Sequence, residues 1–149
     1  MPKPETLKLF HGTSSKNLAD INKHGLRAGR YKSGEDGIWL TDKREIAEKF
    51  SEISTDEKGG DPVLFEVEVK KANLTPDFIM YKMPEYEDMD KVGCDLGDLE
   101  KSSKCWQRKI RAGKVPYPKN DKDWIPSLEA VHSVISIKPI PKTKIKQLK

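Results

Sequence analysis

Apolar positions recur along this chain at two periods. Between Val63 and Val69 the side chains Val63, Phe65, Val67 and Val69 alternate with Leu64, Glu66 and Glu68, the two-residue period of a strand with one buried face. Thr6 to Phe10 shows the same period, with Leu7 and Leu9 on one side and Phe10 on the other. Gly37 to Thr41 is a second short strand. Val131 to Ile137 and Lys144 to Leu148 are two more, separated by the Pro139-Ile140-Pro141 break. Helical spacing appears in three places. Ser14 or Ser15 caps a helix carrying Leu18, Ala19 and Ile21, which Gly25 ends before Leu26 folds back. Asp42, with Glu45 three residues on, forms a capping-box pattern ahead of Ile46, Ala47, Phe50 and Ile53. Asp95 caps a third helix with a stripe of Leu96, Leu99, Ser103, Trp106 and Ile110, stopped at Gly113. The polar stretches Arg27–Asp36, Ser54–Pro62 and Val115–Trp124 read as loops, and Tyr81–Asp90 as an acidic, irregular rim.

The resulting order is strand, helix, strand, helix, strand, a long helical insert, then strands. It lacks the regular strand–helix alternation of a doubly wound sheet. Neither a P-loop nor Gly-x-Gly-x-x-Gly occurs. The expectation is therefore an α+β fold: one domain over residues 1–149, with a split, mixed sheet, flanking helices and a helical or loop insert at about 78–125.

Apolar and charged residues each make up 35% of the chain, which implies a modest core under a wet surface. No apolar run approaches the ~20 residues that span a bilayer, and Met1-Pro2-Lys3-Pro4-Glu5 carries no apolar signal core. A cytoplasmic protein without membrane contact is expected. Cys94 and Cys105 fit free thiols in a reducing compartment. Neither belongs to a C-x-x-C pair, so a zinc site built from them with His132 is set aside and no metal site is expected. Net charge is only +4, but it is segregated. Glu85–Glu100 holds seven acids and one Lys, Lys101–Lys122 holds eight bases and one acid, and Lys138–Lys149 adds five lysines. Basic stretches of this kind suit phosphate backbones.

Two segments carry candidate chemistry: Leu9-Phe10-His11-Gly12-Thr13-Ser14 and Gly37-Ile38-Trp39-Leu40-Thr41-Asp42. The first delivers an imidazole from an apolar strand into a Gly-Thr-Ser turn. The second delivers a large aromatic from a Gly-led strand. An imidazole and a flat ring at neighbouring strand ends suit a ribose and a planar base. Phe50, on the helix that follows, offers a second ring for a sandwich, worth about 0.5–1.5 kcal/mol beyond burial.

Together with Asn22-Lys23-His24-Gly25-Leu26 and Ala47-Glu48-Lys49-Phe50, these segments resemble the first half of a diphtheria-toxin-like ADP-ribosyltransferase of the His–Tyr–Glu branch. That branch includes the poly(ADP-ribose) polymerases, and RNA 2′-phosphotransferases share its fold. The resemblance covers roughly residues 6–70 and, more loosely, 129–148. It implies NAD as co-substrate. His11 matches the His that bonds a ribose hydroxyl, and Gly12 the Gly whose backbone grips the carboxamide. Trp39 stands where the family has its stacking Tyr, and is larger. Phe50 stands at the second stacking aromatic, and Ala47 where Ser often donates to the carboxamide. Thr13 and Thr41 border the same pocket. The third motif residue, a Glu at the start of a late strand, falls on Glu129, with Glu66 and Glu68 as competitors. Arg27 and Arg30 are candidates for the pyrophosphate.

The chemistry accounts for this set. Breaking the nicotinamide glycosidic bond builds positive charge on the ribose. A carboxylate stabilises that charge and can take a proton from the incoming nucleophile. The expected activity is transfer of ADP-ribose to a macromolecular acceptor, protein or nucleic acid. The alternatives are an NAD-dependent RNA 2′-phosphotransferase, which calls for an Arg set absent around His11, and a noncatalytic binding or inhibitor protein on the same scaffold.

Overall fold

The computed structural model describes residues 5–27 and 37–148. In chain order the elements are β1 (Thr6–Ser14), α1 (Leu18–His24), β2 (Ile38–Thr41), α2 (Arg44–Lys58), β3 (Pro62–Lys70), β4 (Leu74–Pro76), α3 (Phe78–Lys82), α4 (Tyr86–Asp90), α5 (Leu99–Arg111), α6 (Ile125–Val131), β5 (Ser133–Ser136) and β6 (Ile145–Leu148). The fold is α+β. Its strands form one six-stranded sheet in the order β4-β5-β2-β1-β3-β6, antiparallel at β1–β2, β1–β3 and β3–β6, where a split, mixed sheet was expected. None of the helices among the described residues is long and apolar enough to cross a membrane.

The chain divides into two compact units, residues 1–75 with 134–149 and residues 76–133. The first holds most of the sheet. β1 runs antiparallel to β3 along its whole length, Thr6 opposite Lys70 and Ser14 opposite Pro62, so Gly12-Thr13-Ser14, expected as a turn after a strand ending at Phe10, continues the strand because β3 supplies partners as far as Pro62. Directly opposed residues share a face, so Leu9 with Val67 and His11 with Phe65 form one buried row. The other face takes α2. A Cβ on Gly12 would collide with the Ala47 carbonyl of that helix, so only glycine admits the close approach. Ala47 and Ser51 are the buried residues of α2, whereas Ile53, expected in the core, is 42% exposed. The expected Asp42 cap is not the N-cap: that position is Lys43, which makes no side-chain cap bond. α2 continues to Lys58 through most of the expected loop, because nothing between Ser54 and Lys58 breaks a helix. Gly25, at φ 74°, ends α1 as expected, and Leu26 then pairs through its backbone with Ile140.

The second unit corresponds to the expected insert but has a core of its own: Tyr81, Met89, Cys94, Cys105, Trp106, Val115, Ala130 and Val131. The stretch expected to be an irregular acidic rim forms α3 and α4, with Tyr81 and Met89 buried. Asp98, not Asp95, caps α5, accepting from the N–H groups of Glu100 and Lys101. The buried side of α5 is Ser102, Cys105 and Trp106. Leu96 and Leu99, assigned to that stripe, are exposed. Cys94 and Cys105 are not free thiols but are joined in a disulfide, with Cα atoms 5.4 Å apart. Eleven residues of separation and a helix turn back toward the same core bring them together, which spacing alone does not reveal. Asp77 caps α3 and accepts the Ser133 hydroxyl, while Ser127 bonds both the Asp77 N–H and the Ser133 carbonyl. These bonds fasten the two ends of the unit together.

Candidate functional site

The two motif segments meet in the first unit. Phe10 of β1 pairs with Thr41 of β2, and the His11 Nδ1 lies 2.8 Å from the Trp39 carbonyl oxygen. A carbonyl only accepts, so Nδ1 is the protonated nitrogen and Nε2 is left as an acceptor. His11 is 4% exposed, and burial holds its pKa below the ordinary value against the opposing pull of the Trp39 carbonyl. The imidazole is neutral at pH 7.

Trp39 packs on Phe50 of α2, ring centroids 4.1 Å apart and planes tilted by 40°. That contact corrects the expected sandwich. A third ring between them needs two gaps of about 3.5 Å, so nicotinamide enters only if one ring swings away. The indole Nε1 is buried and finds no hydrogen-bond partner among the described residues. Alternation along the paired strands puts Trp39, Thr41, Phe10 and Gly12 on the α2 face, and His11, Leu9 and Thr13 on the other. The structure thus links His11 to Trp39 through the backbone of β2 and directs their side chains to opposite faces. Gly12, expected to let a planar ligand approach, is covered on its Cα side by α2.

The remaining candidates are placed as follows. The Thr13 hydroxyl is buried and accepts from Asn17 Nδ2 at 2.8 Å, and Asn17 in turn accepts from Lys58. Arg27 is ion-paired with Asp20 of α1. Arg30 lies outside the described residues. Glu129 sits on α6 of the second unit with an exposed side chain, and the late strand starts only at Ser133. The expected position at a strand start is therefore corrected: Ile125-Pro126, at the head of the segment, suits the first turn of a helix and keeps Glu129 helical. Glu68 is tied to Lys144 at 3.0 Å, and that bond holds its carboxyl below the ordinary range. Glu66 stands opposite Phe10, on the face that takes α2.

The sequence offered little hint of a polar cluster in the second unit. His132, in the left-handed region at φ 55°, places Nε2 3.9 Å from Asp88 Oδ1 and 3.0 Å from Lys91 Nζ. Burial raises the Asp88 carboxyl above its ordinary value, with His132 and Lys91 opposing. Asp88 on α4 and His132 just after α6 lie 44 positions apart, so no local motif announces them.

No protein-family model matches this chain, and comparison with curated proteins finds no relative.

Proposed function

We propose that this protein is an NAD-dependent ADP-ribosyltransferase that transfers ADP-ribose to a macromolecular acceptor, protein or nucleic acid. The observation that carries the reading is the junction of the two motif segments: Phe10 pairs with Thr41, and His11 Nδ1 bonds the Trp39 carbonyl. Segments 28 residues apart become neighbouring strands, joined through the His11–Trp39 backbone bond, with the two side chains on opposite faces. The buried Trp39 indole N–H, which has no hydrogen-bond partner among the described residues, suits a carboxamide oxygen. Trp39 and Phe50 would stack on nicotinamide once their mutual contact opens. A carboxylate would stabilise the charge that develops on the ribose. Within the unit that holds the motif strands, Glu66 on β3 is the candidate.

The experiment is nicotinamide release from NAD. Glu66→Gln is expected to lower kcat by a factor on the order of 100 with little change in KM. Unchanged turnover in Glu66→Gln would take the carboxylate away from β3. Absence of binding of NAD, ADP-ribose and nicotinamide up to millimolar concentrations by calorimetry would overturn the reading. The RNA 2′-phosphotransferase alternative is checked in the same assay with a 2′-phosphorylated RNA. A second reading, a noncatalytic binding protein on this scaffold, draws on the closed Trp39–Phe50 pair and on α2 filling the Gly12 face. A cytoplasmic location belongs to the proposal, and the Cys94–Cys105 disulfide weighs against it, since cytosolic thiols are kept reduced.

A further inference from the structure

We propose that the basic face of α5 binds the phosphodiester backbone of a nucleic acid. At 3.6 residues per turn, Lys101, Lys104, Arg108 and Arg111 fall within about 80° of one another and span about 15 Å of helix. All four are exposed. Trp106 on the opposite side is buried, and Cys105 beside the stripe is bonded to Cys94, so the stripe is presented on a rigid support. Ser103, Lys104, Gln107, Arg108 and Arg111 line an open groove of about 390 Å³.

The charges are available. Arg108 and Arg111 make no ion pair with any described residue, and Lys104 holds only an exposed contact to Glu100 at 3.1 Å. Such a surface pair is worth little and is readily exchanged. The lysine-rich tail differs, because its Lys144 is engaged by Glu68. The lining also selects the partner. Two guanidinium forks with Ser and Gln beside them match phosphate oxygens. No apolar side chain among the described residues lines the groove, so a protein partner lacks a hydrophobic anchor and a bilayer lacks an insertion face. The unit holds as many acids as bases to within one, so the stripe reflects segregation of charge and not a general excess. This inference does not depend on NAD chemistry, and no NAD enters its test.

The test is fluorescence anisotropy of the full chain with labelled 15-nucleotide single-stranded RNA, single-stranded DNA and a 15-base-pair duplex, across 25–200 mM NaCl. Saturable binding to at least one is expected. Four neutralised phosphates give a log–log salt slope of about −3 on a single strand. K104Q/R108Q/R111Q should weaken binding and reduce that slope by about 2, whereas K142Q/K146Q should leave both unchanged. Circular dichroism confirms that the triple variant is folded, and R111Q alone, lowering the slope by about 0.7, serves if it is not. Absent or salt-independent binding, an unaltered slope in the α5 variants, or preference for phosphatidylserine vesicles over every oligonucleotide would overturn the proposal.

Discussion

His11 combines burial with a polar partner, and the combination has a thermodynamic consequence. Its pKa is lowered on folding, chiefly by desolvation. The unfolded chain therefore binds a proton at this residue more readily than the folded one. The stability associated with neutral His11 is complete above the unfolded value, about 6.5, and is lost as pH falls below it. The slope approaches about 1.4 kcal/mol per pH unit from this group while the folded imidazole stays neutral. Urea unfolding of the wild type and of His11→Gln between pH 7.5 and 5.0 should show the steeper decline in the wild type. Parallel curves would mean that His11 is protonated alike in both states.

Among the elements, β1 and α2 determine how the motif is held. Gly12 lies where the helix backbone passes over the strand, and an added methyl group meets the Ala47 carbonyl, which a side-chain rotation cannot move aside. Overpacking of this kind costs about 1–3 kcal/mol, and more where backbone is the obstacle. Gly12→Ala should lower the urea midpoint by a corresponding amount with an unchanged m-value. It should also disturb the Trp39–Phe50 contact, which tryptophan fluorescence would register. A neutral Gly12→Ala would show that α2 can shift outward at little cost.

At the scale of the whole molecule, the two units differ in what stabilises them. The 76–133 unit has a core around Trp106 and a disulfide closing a short loop. In the chain-entropy account, a loop of that length contributes about 3 kcal/mol. Reduction with a phosphine should add 2 Da to the intact mass and lower the unfolding temperature of this unit. The 1–75 and 134–149 unit, which contains no cysteine, should keep its own transition. Identical melting before and after verified reduction would show that the apolar core alone suffices.

Much of the fold was legible along the chain because its signals are local. Two-residue alternation marks β3, Ser14 and Gly25 bracket the first helical segment, and Pro139-Ile140-Pro141 separates the last two strands. The pairing of residues 9–14 with 37–42 followed from the motif resemblance, not from periodicity. What failed was decided by contacts between distant residues. Tyr81 and Met89 look like parts of an acidic rim until Trp106 and Val131 supply their core. Cys94 and Cys105 look like free thiols until α4 and α5 bring them together. The face on which His11 lies relative to Trp39 was likewise invisible, because a strand's period tells which residues share a face but not which strand lies opposite, or in what register. The sequence by itself determined the α+β class, the segments of β3, β6 and α1, and the central parts of β1, β2, α2 and α5, but not α3, α4, α6, β4 or the run of β1 through Ser14. Tertiary structure alone decided the single six-stranded sheet, the core of the 76–133 unit and the direction of each motif side chain, since these depend on burial free energy summed over residues far apart in the chain.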